Sequence, residues 1–372
     1  MKYKKFFLLL PVIACCIVAA LVGCTSGGTP LAAREVTLDS DHVLSYLALL
    51  DDSVVYLSSD ETGVICVRHY LDNGTSVPIG KLENFYLRTK NAVLIDNSIY
   101  FFVSVLTGDT RSKNILACID LSENELKYYE KQDASIAGLV TAEFGKNVVT
   151  YKNEVNGASV TTYVDMFSVD SGEWVQYHES RMDTDSYEGT AIHGIYGNGH
   201  LYLLQDESRD SGFVTSVIEY DEQMQFVREI VLDDAVKAYI LQTGRITEMA
   251  VWDDYIYFRN ISNYAMIGHI EDGTVTPLLQ AQNMELALNQ TDTDDPLFYQ
   301  RRTNTYYVLD RENCTVSARE LTMADASWSI RSILKNTQAV LVICQCDGKP
   351  DFLYYLPEDS MGTAVIPCES SF

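Results

Sequence analysis

Basic residues are scarce: the 372-residue chain carries 27 Lys and Arg against 52 Asp and Glu, a formal charge of −25. A chain this acidic excludes nucleic acid and anionic membrane surfaces as partners of its body, since both need clustered cations. The usual hydrolytic signatures are missing too. There is no G-x-S-x-G elbow and no H-E-x-x-H pair. The six histidines (His42, His69, His178, His193, His200 and His269) stand alone in the sequence. Helical periodicity is scant, with only 233–241 and a similar insertion at 181–189 reading that way. Tryptophan is limited to Trp174, Trp252 and Trp328.

What the chain has instead is a recurring hairpin. Asp51-Asp52-Ser53-Val54-Val55-Tyr56-Leu57 is a polar turn followed by an apolar run. Relatives of it start near Asp96, Gly145, Gly197, Asp253, Asp294 and Asn336, at intervals of about 41 to 56 residues, the period of a propeller blade. The spacing predicts an all-β fold, a seven-bladed β-propeller of four-stranded antiparallel blades. Blade 1 parses as strands 43–50, 54–58, 64–71 and 76–80, and the others repeat the scheme down to 364–368. Several second strands are apolar on both faces, as in Ile99-Tyr100-Phe101-Phe102-Val103, which is expected of sheets sandwiched between neighbours. Tyrosines such as Tyr56, Tyr100, Tyr202 and Tyr257 recur on these strands and are expected between blades, each hydroxyl finding a partner. Ring closure has two solutions: Glu35–Leu38 joins the last blade, or the C-terminal strand completes it. The full strand at 364–368 favours the second.

The first residues carry an address. Lys2, Lys4 and Lys5 precede an apolar run from Phe6 to Val22 that ends in Leu21-Val22-Gly23-Cys24. This resembles the lipobox of bacterial lipoproteins. The resemblance implies a signal peptide at 1–23 and lipidation (palmitate included) at Cys24; Thr25-Ser26-Gly27-Gly28-Thr29-Pro30 reads as part of a flexible tether at 24–34, and the repeats place the propeller domain at 35–372. The protein is then tethered to the cell membrane and extracytoplasmic. An uncleaved anchor would leave the body on the same side. In blade periodicity alone, with no diagnostic motif, the body loosely resembles WD40, TolB-type and quinoprotein-like rings.

Of nine cysteines, Cys15 and Cys16 leave with the leader and Cys24 takes the lipid. An even six remain, which permits disulfides in an exported chain. They are scattered, so buried thiols are the expected state, and no metal site is read into Cys344-Gln345-Cys346. Ser168–Trp174 resembles the Asp-box of sialidase-like propellers but is one residue short, so a plain hairpin accounts for it. Asp183-Thr184-Asp185 and Asp292–Asp295 put oxygens at alternate positions, yet each lacks parts of a calcium loop. No cofactor is expected. A propeller binds over its channel mouth, where the loops entering each first strand hold Tyr86, Asp133, Asp185, Tyr187, Arg245 and Trp328 as candidate ligand-binding residues. The chain is therefore expected to be a binding scaffold for an envelope protein or glycan. The alternative is a glycan- or peptide-processing enzyme using acidic residues at that mouth.

Overall fold

The computed structural model describes residues 31–39, 42–60, 63–82, 85–86, 92–107, 111–131, 142–156, 159–183, 200–209, 212–221, 223, 225–240, 246–288 and 296–368. Within the unit Ala33–Phe372 the described residues are almost entirely strand. They form six antiparallel sheets of four or more strands and one two-stranded pair. The seven-stranded sheet is two meanders, Leu201–Val231 and Ile246–Gln282, joined by a single parallel pairing of Val231 with Thr274. Turn chemistry fixes the registers. Between Tyr264–Glu271 and Thr274–Gln282, Asp272 and Gly273 take φ of 51° and 72°, the two left-handed positions of a primed hairpin turn.

The interior explains the uniformly apolar second strands. Val54, Val55, Tyr56 and Leu57 are at most 1% exposed, and Ala339 to Cys344 are all fully buried. A strand hidden on both faces needs a sheet on each side. Contacts between successive meanders supply them. Arg68 of the first donates to the Leu121 carbonyl of the second at 3.0 Å. Phe102 and Tyr100 of the second meet Trp174 and Phe167 of the third at ring distances of 6.3 and 6.1 Å. Trp252 of the fifth meets Phe298 of the sixth edge-on at 5.8 Å, so two of the three tryptophans dock neighbouring sheets. The Tyr257 hydroxyl donates across to the Met284 carbonyl at 3.1 Å, and Leu288 bridges to Leu334 from sixth to seventh. Asn336 of the seventh reaches Asp51 of the first at 3.4 Å.

Closure differs from the expectation. Arg34–Val36 is the outer strand of the last sheet, with Arg34 opposite Tyr355 and Val36 opposite Leu353. The C-terminal strand shrinks to Val365–Ile366 and pairs in parallel with Thr322–Met323 instead. The turn after Phe352–Pro357, a short 3-10 stretch at Glu358–Ser360, carries the chain away from the sheet edge, which leaves that edge to the N-terminal strand.

The one α-helix among the described residues, α1 (Asp234–Ile240), lies where sequence places it. Asp233 caps it, its Oδ1 accepting from the Val236 amide at 2.8 Å, and Val236 and Ile240 are buried beneath it.

Candidate functional site

Each first strand runs toward its polar hairpin, so its starting residues lie at the opposite end of the sheet. At that end the seam between the seventh and first sheets opens into a cavity of about 330 Å³. Four segments build it. Val43 and Tyr46 come from the first strand of the first sheet, and Arg331 from the first strand of the seventh. Glu35 comes from the closing N-terminal strand and Thr37 from just after it, Lys349 and Asp351 from the loop after Ala339–Gln345, and Phe352 from the start of the strand that follows. That loop turns at Gly348, whose φ of 76° glycine tolerates best, and the Lys349 amide closes it on the Cys346 carbonyl at 3.1 Å.

Charge in the cavity is balanced. Arg331 donates to the Asp351 carboxylate, and this bond holds the guanidinium above its ordinary pKa. Lys349 rests its ammonium 5.5 Å from the centre of the Trp328 ring. Trp328 in turn meets Phe352 at 5.9 Å. The Tyr46 hydroxyl is buried and has no hydrogen-bond partner among the described residues. Burial, aided by the Asp351 carboxylate and opposed by Arg331, pushes its pKa well above the usual tyrosine value, so it stays a protonated donor. The wall thus offers one unspent hydroxyl, a paired cation and anion, an ammonium and an aromatic face.

A second polar cluster joins the fifth, sixth and seventh sheets at the same end. Arg259 lies between Glu248 and Glu285 at 2.7 and 2.8 Å. Tyr299 donates to Glu285 at 2.9 Å and approaches Ser332 at 3.4 Å. Arg259 and the two carboxylates are mostly buried, at 10%, 14% and 18% side-chain exposure. Both carboxylates engage the guanidinium, so the cluster reads as a clamp between sheets. Among the described residues no group of three or more His, Cys, Asp or Glu side chains is placed to hold a metal ion.

Of the mouth residues expected from sequence, two lie among the described residues. Tyr86 sits in the two-residue strand Phe85–Tyr86, opposite Ser104 on the inner edge of the second sheet. Trp328 is 5% exposed and backs the cavity, carrying Lys349 and Phe352 on its ring. Asp133, Asp185, Tyr187, Arg245 and the lipid-attachment candidate Cys24 lie outside the described residues, as do Thr184, Asp185, Glu188, Gly189 and the stretch 292–295 of the acidic loops. Tyr46, Arg331, Lys349 and Asp351 went unseen in the sequence because only the loops entering first strands were considered. Loops leaving second strands share that end, and Asp347-Gly348 was the available turn signal.

An all-β chain of stacked antiparallel meanders is propeller-like, and comparison with solved structures agrees. A manganese-bound oligogalacturonate lyase matches at TM-score 0.55 and 10% identity, over 89% of this chain and 97% of that one. The oligogalacturonate lyase of Vibrio parahaemolyticus matches at TM-score 0.52 and 11% identity, over 88% and 98%. The acylaminoacyl peptidase of Pyrococcus horikoshii matches at TM-score 0.52 and 11% identity over 86% of this chain. This chain spans about half, 52%, of that peptidase. These proteins have β-propeller folds, and at such identities the likeness is one of fold. No protein-family model and no curated protein matches the sequence.

Proposed function

We propose that the chain is a lipid-anchored, extracytoplasmic seven-bladed β-propeller that works as a binding module. Its ligand is a small neutral polyhydroxylated molecule, such as a glycan fragment, held in the cavity between the seventh and first blades. The blade count is supported by seven described meanders and by the Asn336–Asp51 contact that returns the last to the first. The anchor is supported by the Leu21-Val22-Gly23-Cys24 sequence.

One observation carries the ligand reading: the buried Tyr46 hydroxyl, with no hydrogen-bond partner among the described residues, beside a cavity. An unsatisfied buried hydroxyl costs about 1–3 kcal/mol, a cost that a bound acceptor or donor removes. Balanced charge on Glu35, Arg331, Lys349 and Asp351 favours a neutral ligand over an ion, and the aromatic wall suits the apolar face of a sugar ring.

The test is calorimetry of residues 25–372 against neutral oligosaccharides, acidic oligosaccharides and peptides. A neutral saccharide should bind. Tyr46→Phe should weaken it about 2- to 10-fold, one hydrogen bond's worth, while leaving the ligand-free protein at least as stable as the parent. Equal binding by Tyr46→Phe overturns the site, and turnover of any panel member makes the protein an enzyme. Separately, Cys24→Ala should move the full chain from the membrane to the soluble fraction, and retention would count against the anchor.

A further inference from the structure

A second cavity, of about 460 Å³, lies between the sixth and seventh sheets and the C-terminal segment. Leu297 and Val308 of the sixth sheet, Val340 of the seventh and Met361 of the C-terminal segment make its walls apolar. All four belong to the apolar cluster that joins these two sheets. The volume falls within the roughly 300–1,000 Å³ of small-ligand sites.

Two buried polar side chains interrupt that apolar lining. Lys335 ends the first strand of the seventh sheet, Ser329–Lys335, and its side chain is only 2% exposed. An ammonium so deeply placed needs an anion beside it, and Glu358 supplies one, its Oε1 3.1 Å from Nζ. Glu358 is itself 45% exposed and starts the single 3-10 turn Glu358–Ser360. The carboxylate can therefore exchange this partner for water, whereas the ammonium cannot. Tyr306 is the other polar group. It is 2% exposed, and its hydroxyl lies beside Gly362, where a Cβ would stand 3.6 Å from it. Both residues line the cavity, and the hydroxyl makes no hydrogen bond among the described residues.

We propose that this cavity binds a small apolar monocarboxylate, such as a medium-chain fatty acid, independently of the site between the seventh and first sheets. The ligand carboxylate takes the place of Glu358 on Lys335, a charge-assisted bond in a site screened from water, and accepts from the Tyr306 hydroxyl. Its chain lies against Leu297, Val308, Val340 and Met361. At the rim, Arg319 and Asp359 are exposed and of opposite sign, so the buried ammonium selects the head group. A neutral alcohol leaves Glu358 where it is and gains only apolar burial. An amine meets a like charge.

The experiment is a calorimetric titration of residues 25–372, which hold the whole unit Ala33–Phe372, with octanoate, octan-1-ol and octylamine. Octanoate should bind one to one, and the alcohol and the amine at least about 10-fold more weakly, the worth of a hydrogen bond between charged groups. Lys335→Met, its folding checked by circular dichroism, should weaken octanoate by at least about 10-fold, and Tyr306→Phe by about 3- to 10-fold. Glu358→Gln removes the competing carboxylate and should tighten octanoate by about 2- to 5-fold, what a half-exposed ion pair is worth. A gain of affinity cannot come from a misfolded variant. The proposal is overturned if octanoate does not bind at millimolar concentration, if octan-1-ol matches it, if Lys335→Met binds as well as the parent, or if Glu358→Gln binds no more tightly.

Discussion

Gly80→Ala isolates the stacking of one sheet on the next. Gly80 lies on the outer strand Ser76–Leu82 of the first sheet and Leu126 on the outer strand Glu125–Tyr129 of the second. A Cβ at position 80 would stand 2.7 Å from the Leu126 Cβ and 3.0 Å from its Cδ2. The first is closer than real Cβ contacts come, and it is made by the stem of the side chain, which cannot swing away. The Gly80 backbone is outside the left-handed region, so alanine meets no φ strain there. Taken alone, stiffening the unfolded chain would make the change stabilising by about 0.4–1 kcal/mol. Overpacking costs about 1–3 kcal/mol, so the sign of the net effect reports the contact. We expect a net loss of about 1–2 kcal/mol in urea unfolding. At a typical unfolding entropy per residue, that lowers the melting temperature of this body by about 1–3 °C. Leu126→Gly removes that Cβ and should relieve the clash, so the double variant should be more stable than the two single losses add up to, by at least 1 kcal/mol. A neutral or stabilising Gly80→Ala, or simple additivity with Leu126→Gly, would refute the stacking of these two sheets.

Two further outcomes follow from buried polar groups. Arg259→Met removes the buried cation shared by Glu248 and Glu285, though Arg301 still reaches Glu285 at 3.4 Å, and should cost about 2–4 kcal/mol, read by urea unfolding; a change under 1 kcal/mol would show that water reaches the clamp. His69 is 2% exposed, with its Nδ1 2.9 Å from the Ser76 hydroxyl. Burial lowers its pKa below the ordinary 6.5, with Arg34 adding to this and Asp39 opposing it. The folded state then binds fewer protons than the unfolded chain, so His69 contributes stability above pH 6.5 that is lost as pH falls through its lower folded value. His69→Gln should flatten that part of the stability profile, and an unchanged slope would assign it to other groups.

The local elements were legible in the sequence because turns and apolar runs report on themselves. Val43–Leu49, Ser53–Asp60, Gly63–Tyr70 and Ser76–Leu82 lie within two residues of the four strands read from sequence for the first sheet. The strand Thr274–Gln282 was not foreseen, since Pro277 interrupts its pattern; the register shifts beside it, between Ile267 and Gly268. Closure was misread for a different reason. Arg34-Glu35-Val36 is too short to show alternation, while Ala364–Cys368 looks like a strand. Which of them fills the edge beside Phe352–Pro357 depends on a partner more than 300 residues from Arg34, and nothing local encodes it. The cavity was hidden likewise. Tyr46 sits near Arg331 and Asp351 only once the last sheet has returned to the first, so no motif could display them together.

The central claim is a ring of seven sheets sealed by the N-terminal strand, and a crystal structure of residues 25–372 tests it most directly. The account predicts seven four-stranded sectors, with Arg34–Val36 as the outer strand of the sector holding Ser329–Lys335. Six or eight sectors, or the C-terminal residues in that outer position, would contradict it.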